Sequence, residues 1–322
     1  MSKVLAVFGA TGQQGSSVVN HVLQDPALAQ QYTIRALTRD AGSEKSQQLR
    51  AKGVDVVTAD VLARASLEDA LKGVHTVFAM TTPLIGPHVP EGEEALNWEF
   101  ENAKRIADVA LALGVKYFIF STLPSVRDIS GGKYTALTPF DAKAKAETYI
   151  RSLSPKMQSA FFCPGSFMEN FQEQFWIAPR KIHGTWTLAR PALATSKMPL
   201  IAAVDDSGKF VGKILAEPEK YAGKRFCAAE GRYSWDDIAA ALGKSAGQKV
   251  VYQQIGYEQW KGMFPFAAKL FEEGFRYAEE FGGYFGEEEE SELSWAIREV
   301  GGRGNLLGFE QFLEKYPFKL QD

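Results

Sequence analysis

Gly9, Gly12 and Gly15 stand three residues apart in the stretch Phe8-Gly9-Ala10-Thr11-Gly12-Gln13-Gln14-Gly15. An apolar run, Lys3 to Phe8, leads into them. A helical pattern over Gln13 to Gln24 leads out, with Val18, Val19, Val22 and Leu23 at helical spacing. Between a strand and a helix, each glycine has a role in binding a dinucleotide. Gly9 permits the tight turn, Gly12 lets the backbone approach a pyrophosphate, and Gly15 lets the helix lie close to the sheet. The helix N-terminus then directs N–H groups at the anion, so Thr11, Gln13 and Gln14 join the glycines as candidate cofactor contacts.

The end of the second strand selects the dinucleotide. An acidic residue there accepts hydrogen bonds from the ribose hydroxyls of NAD. This chain reads Leu37-Thr38-Arg39-Asp40. The guanidinium of Arg39 can hold a 2′-phosphate in bidentate fashion, with Thr38 adding a hydroxyl and Lys45 a second cation. NADP(H) is therefore the expected cofactor, with NAD(H) tolerated, since a shift of one residue would put Asp40 in the acidic position. Asp60 and Val61 after the third strand, and Thr81, Thr82 and Pro83 after the fourth, are the next expected cofactor contacts.

These residues need a scaffold that brings strand ends together, and the first half of the chain has its pattern. Strands are expected at Lys3–Phe8, Tyr32–Thr38, Val54–Thr58, Val74–Met80, Val115–Phe120 and Gln158–Cys163. Between them lie helical stretches from Gln13, Glu44, Ser66, Glu93 and Phe140. The strands are continuous in Val, Ile, Leu and Phe, as expected of a parallel sheet covered on both faces. The fold class expected is α/β, a Rossmann-type doubly wound parallel sheet with ligands at the carboxyl ends of its strands. After Pro164-Gly165 the alternation breaks. Short strands are expected at Thr185–Leu188, Leu200–Ala203, Arg225–Ala228 and Val250–Gln253, and helices from Asp205, Trp235, Ala267 and Glu287. The division is a dinucleotide-binding domain over 1–163, which also receives later segments, and a smaller mixed α/β lobe over 164–322 that binds substrate or partner.

Composition narrows the function further. The 322 residues carry 36 Lys and Arg against 39 Asp and Glu, a formal net charge of −3, and 45% are hydrophobic. Such a chain folds, and it lacks the overall basic balance of a nucleic-acid binder. Cys163 and Cys227 are too few for a disulfide framework and lack metal-ligand spacing, as do the four histidines. No metal is expected. No apolar segment is long enough for a membrane span. The expectation is a cytoplasmic protein, with the nucleus a second location for a regulator, and a monomer or homodimer.

Several stretches together resemble the NmrA-like branch of the atypical short-chain dehydrogenase/reductase superfamily. They are the glycine loop, Thr38-Arg39, Ser121-Thr122-Leu123-Pro124, Phe140-Asp141-Ala142-Lys143, Pro164-Gly165-Ser166-Phe167-Met168-Glu169-Asn170-Phe171, Val204-Asp205-Asp206-Ser207-Gly208-Lys209 and Phe309-Glu310-Gln311-Phe312-Leu313. The family includes regulators and redox sensors that bind NADP(H), and related enzymes reduce quinones, dyes or plant phenylpropanoids. The resemblance implies cofactor binding more strongly than turnover.

Short-chain reductases use a Tyr-x-x-x-Lys pair with a Ser after the fifth strand, the Tyr supplying a proton to the carbonyl oxygen. The resemblance places Ser121 and Lys143 in those positions, but the residue four before Lys143 is Pro139. Lys143 is thus a holder of the cofactor ribose, a sole acid/base or a surface lysine. Tyr134 in the preceding loop is a substitute donor. The string Tyr257-Glu258-Gln259-Trp260-Lys261 is a coincidence of spacing in the C-terminal lobe. Cys163 and Phe167, after the sixth strand, should border the nicotinamide. His88, Asn170, Trp176, Trp186 and Phe264 complete a candidate pocket for a ring-bearing ligand. Two functions follow. The first is an NADP(H)-binding regulator that reads the cofactor's redox state and passes it to a protein partner. The second is an NADPH-dependent reductase of a small aromatic carbonyl, quinone or conjugated alkene that uses Lys143.

Overall fold

The computed structural model describes residues 2–173, 177–263 and 266–320. The first half alternates as β1 (Lys3–Phe8), α1 (Gln13–Gln24), α2 (Pro26–Gln31), β2 (Tyr32–Thr38), α3 (Glu44–Ala51), β3 (Asp55–Thr58), α4 (Arg64–Leu71), β4 (Thr76–Ala79), α5 (Gly92–Ala112), β5 (Tyr117–Ser121), α6 (Val126–Ile129), α7 (Thr138–Ser152) and β6 (Gln158–Pro164). The second half runs β7 (Ser166–Phe167), α8 (Asn170–Glu173), β8 (Arg180–Ile182), β9 (Thr185–Arg190), β10 (Lys197–Ile201), α9 (Ala203–Ala216), β11 (Arg225–Ala228), β12 (Gly231–Ser234), α10 (Trp235–Ala246), β13 (Val250–Gln254), α11 (Tyr257–Met263), α12 (Ala268–Glu280), α13 (Glu289–Glu299) and α14 (Phe309–Lys315).

Seven strands form one sheet in the order β11-β6-β5-β4-β1-β2-β3, and every pairing in it is parallel. The fold is the expected doubly wound α/β type. Its order reverses between β1 and β4, and the crevice at that reversal is where such sheets bind ligands. One face is covered by α1, α2, α9 and α13, through Val18, Val22, Leu28, Phe210, Ile214 and Ile297. The other is covered by α4, α5 and α7, through Leu67, Ile106, Val109, Ala146 and Ile150. Burial on both faces is the reason the strands are continuous in apolar residues.

The second half supplies β11 to this sheet and α9 to its face. Helix α9 lies so close to α1 that a Cβ on Gly208 would stand 2.3 Å from the Ser17 carbonyl oxygen. The helix begins at Ala203 rather than Asp205, because the buried Glu169 carboxylate accepts from Ala203 N at 3.0 Å and Val204 N at 2.8 Å. These bonds satisfy two donors that a helix start leaves open. The expected strand Leu200–Ala203 correspondingly lies earlier, as β10. The remaining segments form two three-stranded sheets, β12-β10-β7 and β13-β9-β8. They pack with α10 and α14 around Leu188, Leu200, Ile238, Leu242, Phe309 and Phe312. Among the described residues, no helix is long and apolar enough to cross a membrane.

Candidate active site

The crevice at the sheet's switch point opens into a cavity of about 770 Å³. Gly12, Gln13 and Gln14 from the β1–α1 turn line one end, with Lys45, Thr81, Thr82, Pro83, Ser121 and Lys143. Ser166, Phe167 and Asn170 continue the wall, and Arg190, Trp235, Trp260, Phe271, Phe275 and Tyr277 close it. At this volume, a ring-bearing ligand is largely enclosed.

The glycine turn fits a pyrophosphate. Gly9 adopts φ +61°, a left-handed conformation that glycine takes without penalty. A Cβ on Gly15 would stand 2.3 Å from the Gly9 carbonyl oxygen, so only glycine lets α1 approach the turn this closely. No side chain caps α1, and its first turn carries no acid, which leaves the helix N-terminus suited to an anion. Gln14 is turned inward, its Oε1 accepting from the Ser121 Oγ at 2.7 Å, and this bond ties the loop to the end of β5. Thr11 lies in the same turn.

At the end of β2, Asp40 is already committed. Its Oδ1 accepts from Gly42 N at 2.8 Å, closing the turn that leads into α3. Arg39 is exposed beside it, Thr38 Oγ1 accepts from Asp40 N at 3.3 Å, and Lys45 reaches the cavity wall. Asp60 uses its carboxylate on Leu62 N, and the Val61 carbonyl accepts from Arg105. Neither residue lines the cavity.

The part of the cavity around Lys143 is built on a carboxylate that the sequence alone did not single out. Glu99 of α5 is 1% exposed and accepts from Thr81 Oγ1 at 2.6 Å. The same Oε1 accepts from Lys143 Nζ, and Lys143 is 8% exposed. A surface role for Lys143 is thereby corrected: it is a buried ammonium, paired with Glu99, on a cavity wall. Pro139 stands in the first turn of α7 and also lines the cavity, so a proline ring takes the place of the usual tyrosine.

Tyr134 is not a substitute donor. Its hydroxyl donates to Glu280 at 2.7 Å, its ring packs edge-on against Phe281, and it does not line the cavity. The loop around it is pinned to α12, where the Glu273 carboxylate accepts from Thr135 N and Ala136 N. Cys163 is also corrected. It lies in register with Cys227 on β11, in a buried cluster with Phe285 and Leu293 rather than on the cavity wall. The Cys163 neighbour and burial push the Cys227 thiol well above its ordinary pKa, as expected of inert core cysteines.

Of the pocket candidates, Phe167 and Asn170 line the cavity. His88 is exposed and does not, and its loop contributes Ile85 instead. Trp186 is a core residue whose Nε1 donates to Gln248 at 3.0 Å. Trp176 and Phe264 lie outside the described residues. The aromatic wall is made by Trp235, Trp260, Phe271 and Phe275. Of the Tyr257-x-x-x-Lys261 string only Trp260 reaches it, and Tyr257 stays outside. Among the described residues, no cluster of His, Cys, Asp and Glu could hold a metal ion.

Comparison with known proteins agrees with this geometry. The model of the NmrA-like family matches residues 1–302. An NmrA-like family domain-containing protein of Dictyostelium discoideum is 28% identical, covering 99% of this chain and all of its own. The NmrA-like family domain-containing oxidoreductase ptmS of Penicillium ochrochloron is 30% identical, covering 89% of this chain and 87% of its own. The crystal structure of NmrA, a negative transcriptional regulator, in complex with NADP superimposes with a TM-score of 0.76. It is 19% identical and covers 98% of this chain and 95% of its own. A family match over nearly the whole length, a glycine turn shaped for pyrophosphate at the switch point, and a buried lysine on the cavity wall establish that the chain belongs to the NmrA-like family.

Proposed function

We propose that this protein is an NADP(H)-dependent reductase of a ring-bearing carbonyl, quinone or conjugated alkene. The observation that carries the reading is the cavity. A sensor needs only to hold its cofactor, whereas this cavity continues past Lys143 to a wall of Trp235, Trp260, Phe271 and Phe275 that lies beyond the residues of the dinucleotide end. The name of the 30%-identical relative, an oxidoreductase, supports the same choice.

The bound dinucleotide would supply the hydride. The residues of this chain supply the rest. The glycine turn and the α1 N-terminus hold the pyrophosphate, and Ser121 locks Gln14 against that turn. Phe167 and Asn170 wall the reacting end. Lys143 is the group placed to give a proton to a developing oxyanion or carbanion, and Glu99 keeps its ammonium charge compensated away from bulk water. Substrate-dependent oxidation of NADPH across a panel of quinones, aromatic aldehydes and enones tests the reading. Turnover of one class above the rate without substrate is the expected result. Tight NADPH binding with no turnover by any member overturns it in favour of the regulator.

The cofactor preference follows from Arg39 and Asp40. With the Asp40 Oδ1 accepting from Gly42 N, the exposed Arg39 is the cation at the end of β2 that would meet a 2′-phosphate. Arg39→Ala is expected to weaken NADP by roughly ten- to hundred-fold, the effect of losing a charge-assisted bond, and to leave NAD almost unchanged. Titration of both dinucleotides by fluorescence measures this, and an equal loss for the two would refute the assignment.

A further inference from the structure

Arg190 closes β9 and lines the cavity, yet only 3% of the residue is exposed. Its N–H groups donate to the backbone carbonyls of Ala189, at 2.7 Å, and Ile177. Its Cζ lies 5.5 Å from the Trp235 ring centroid and 5.3 Å from that of Trp260. Among the described side chains no carboxylate pairs with it. Carbonyl dipoles and two aromatic faces offset part of the cost of burying a cation, but buried arginines are normally matched by an anion. Burial, with a smaller push from the Arg180 cation, pulls this guanidinium down to about 9.

Among the described residues lining it, the rest of the cavity has no anion to offer. Its lining contains three cations, Lys45, Lys143 and Arg190, and no Asp or Glu. Lys143 is matched by Glu99 behind it. Lys45 belongs to the dinucleotide end. Arg190 stands among Trp235, Trp260, Phe271 and Phe275, and there it is the one buried cation that the described residues leave unmatched.

We propose that Arg190 is an anion-recognition residue, and that the ligand of this cavity is an aromatic or conjugated carboxylate. Its flat body packs between the tryptophans and phenylalanines while its carboxylate lies on the guanidinium. That the ligand is also the substrate rests on the reductase reading. In that case the reducible group, a carbonyl or an alkene, lies at the end of the molecule remote from the carboxylate, toward Lys143. A guanidinium in an apolar wall selects by charge, because a neutral analogue leaves the cation as poorly matched as before.

The test compares 2-naphthoate with 2-naphthamide, equal in shape and different in charge, by calorimetry on the full chain saturated with NADP. The acid is expected to bind roughly ten- to hundred-fold more tightly than the amide. Arg190→Gln should bring the ratio close to one while leaving NADP affinity unchanged, and Arg190→Lys should keep part of the preference. Equal binding of acid and amide by the native protein, or no binding of either, overturns the proposal whether or not the variants fold. So does a folded Arg190→Gln protein that still prefers the acid. The measurement requires no turnover, so its outcome is separate from that of the NADPH-oxidation panel. Acid-selective binding without turnover would leave the anion site and remove the reductase, and turnover with no preference for acids would do the reverse.

Discussion

Lys143→Met will lower substrate-dependent NADPH oxidation by about 10²- to 10⁴-fold, the contribution of a positioned proton donor. Methionine keeps most of the volume, so the cavity wall stays closed. Because Glu99 is left buried without its cation, the rate is read on folded protein and checked in the Glu99→Leu/Lys143→Met double variant, which leaves no charge unpaired. The size of the effect depends on the lack of a substitute. Pro139 occupies the usual position of the tyrosine, and Tyr134 is tied to Glu280 outside the cavity. Ser121 already donates to Gln14. Dinucleotide affinity should fall by no more than about tenfold, since at most a hydrogen bond or two to the cofactor is lost. Steady-state kinetics on the best substrate of the panel, with a parallel NADPH titration, separate the two quantities. A variant within tenfold of the native kcat would show that the proton comes from solvent and that Lys143 only positions the cofactor.

The parts of this protein legible in the sequence are those set by local pattern. The glycine spacing, the apolar strands and the first helices depend on neighbours in the chain, and β1, α1 and β2 lie where the periodicity puts them. Pairings between distant segments were not legible. Strand β11 meets β6 from more than sixty residues away, in register from Arg225↔Phe161 to Ala228↔Pro164. The loop carrying Tyr134 is held by Glu273 and Glu280 of α12, so a residue offered as a substitute donor is a packed one. Trp186 was misplaced for a simpler reason. It is the second residue of β9 and Arg190 ends the strand, and at about 3.3 Å per residue that puts them roughly 13 Å apart, so only the far end of the strand reaches the cavity. Glu99 did leave a signal. It falls three residues after Leu96 and four before Ala103, on the buried face of α5, where an acid without a partner would be costly. Its partner, 44 residues on, is the detail that only the fold supplies.

Glu99→Leu will cost about 3–5 kcal/mol of folding stability, and a second substitution will return most of it. Removing one member of a buried ion pair leaves the other as an uncompensated charge, whereas replacing both by apolar groups of similar size is often neutral or stabilising. The geometry here meets the conditions for that asymmetry. Lys143 and Glu99 are both buried, and the described hydrogen bonds give the Lys143 Nζ no other acceptor than Glu99. Thr81 donates to the same oxygen, so Glu99→Leu also leaves that hydroxyl without its acceptor. Urea unfolding of Glu99→Leu, Lys143→Met and the double variant closes the cycle. The double variant should lie within about 1–2 kcal/mol of the native protein, with a coupling energy of several kcal/mol between the sites. A loss below about 1 kcal/mol in Glu99→Leu would mean that water reaches the ammonium and that the pair is not sealed. The stable double variant should be inactive toward every member of the panel while still binding NADPH. If so, this fold keeps a buried pair that its stability does not require, and the reason for keeping it is the proton that Lys143 carries to the cavity.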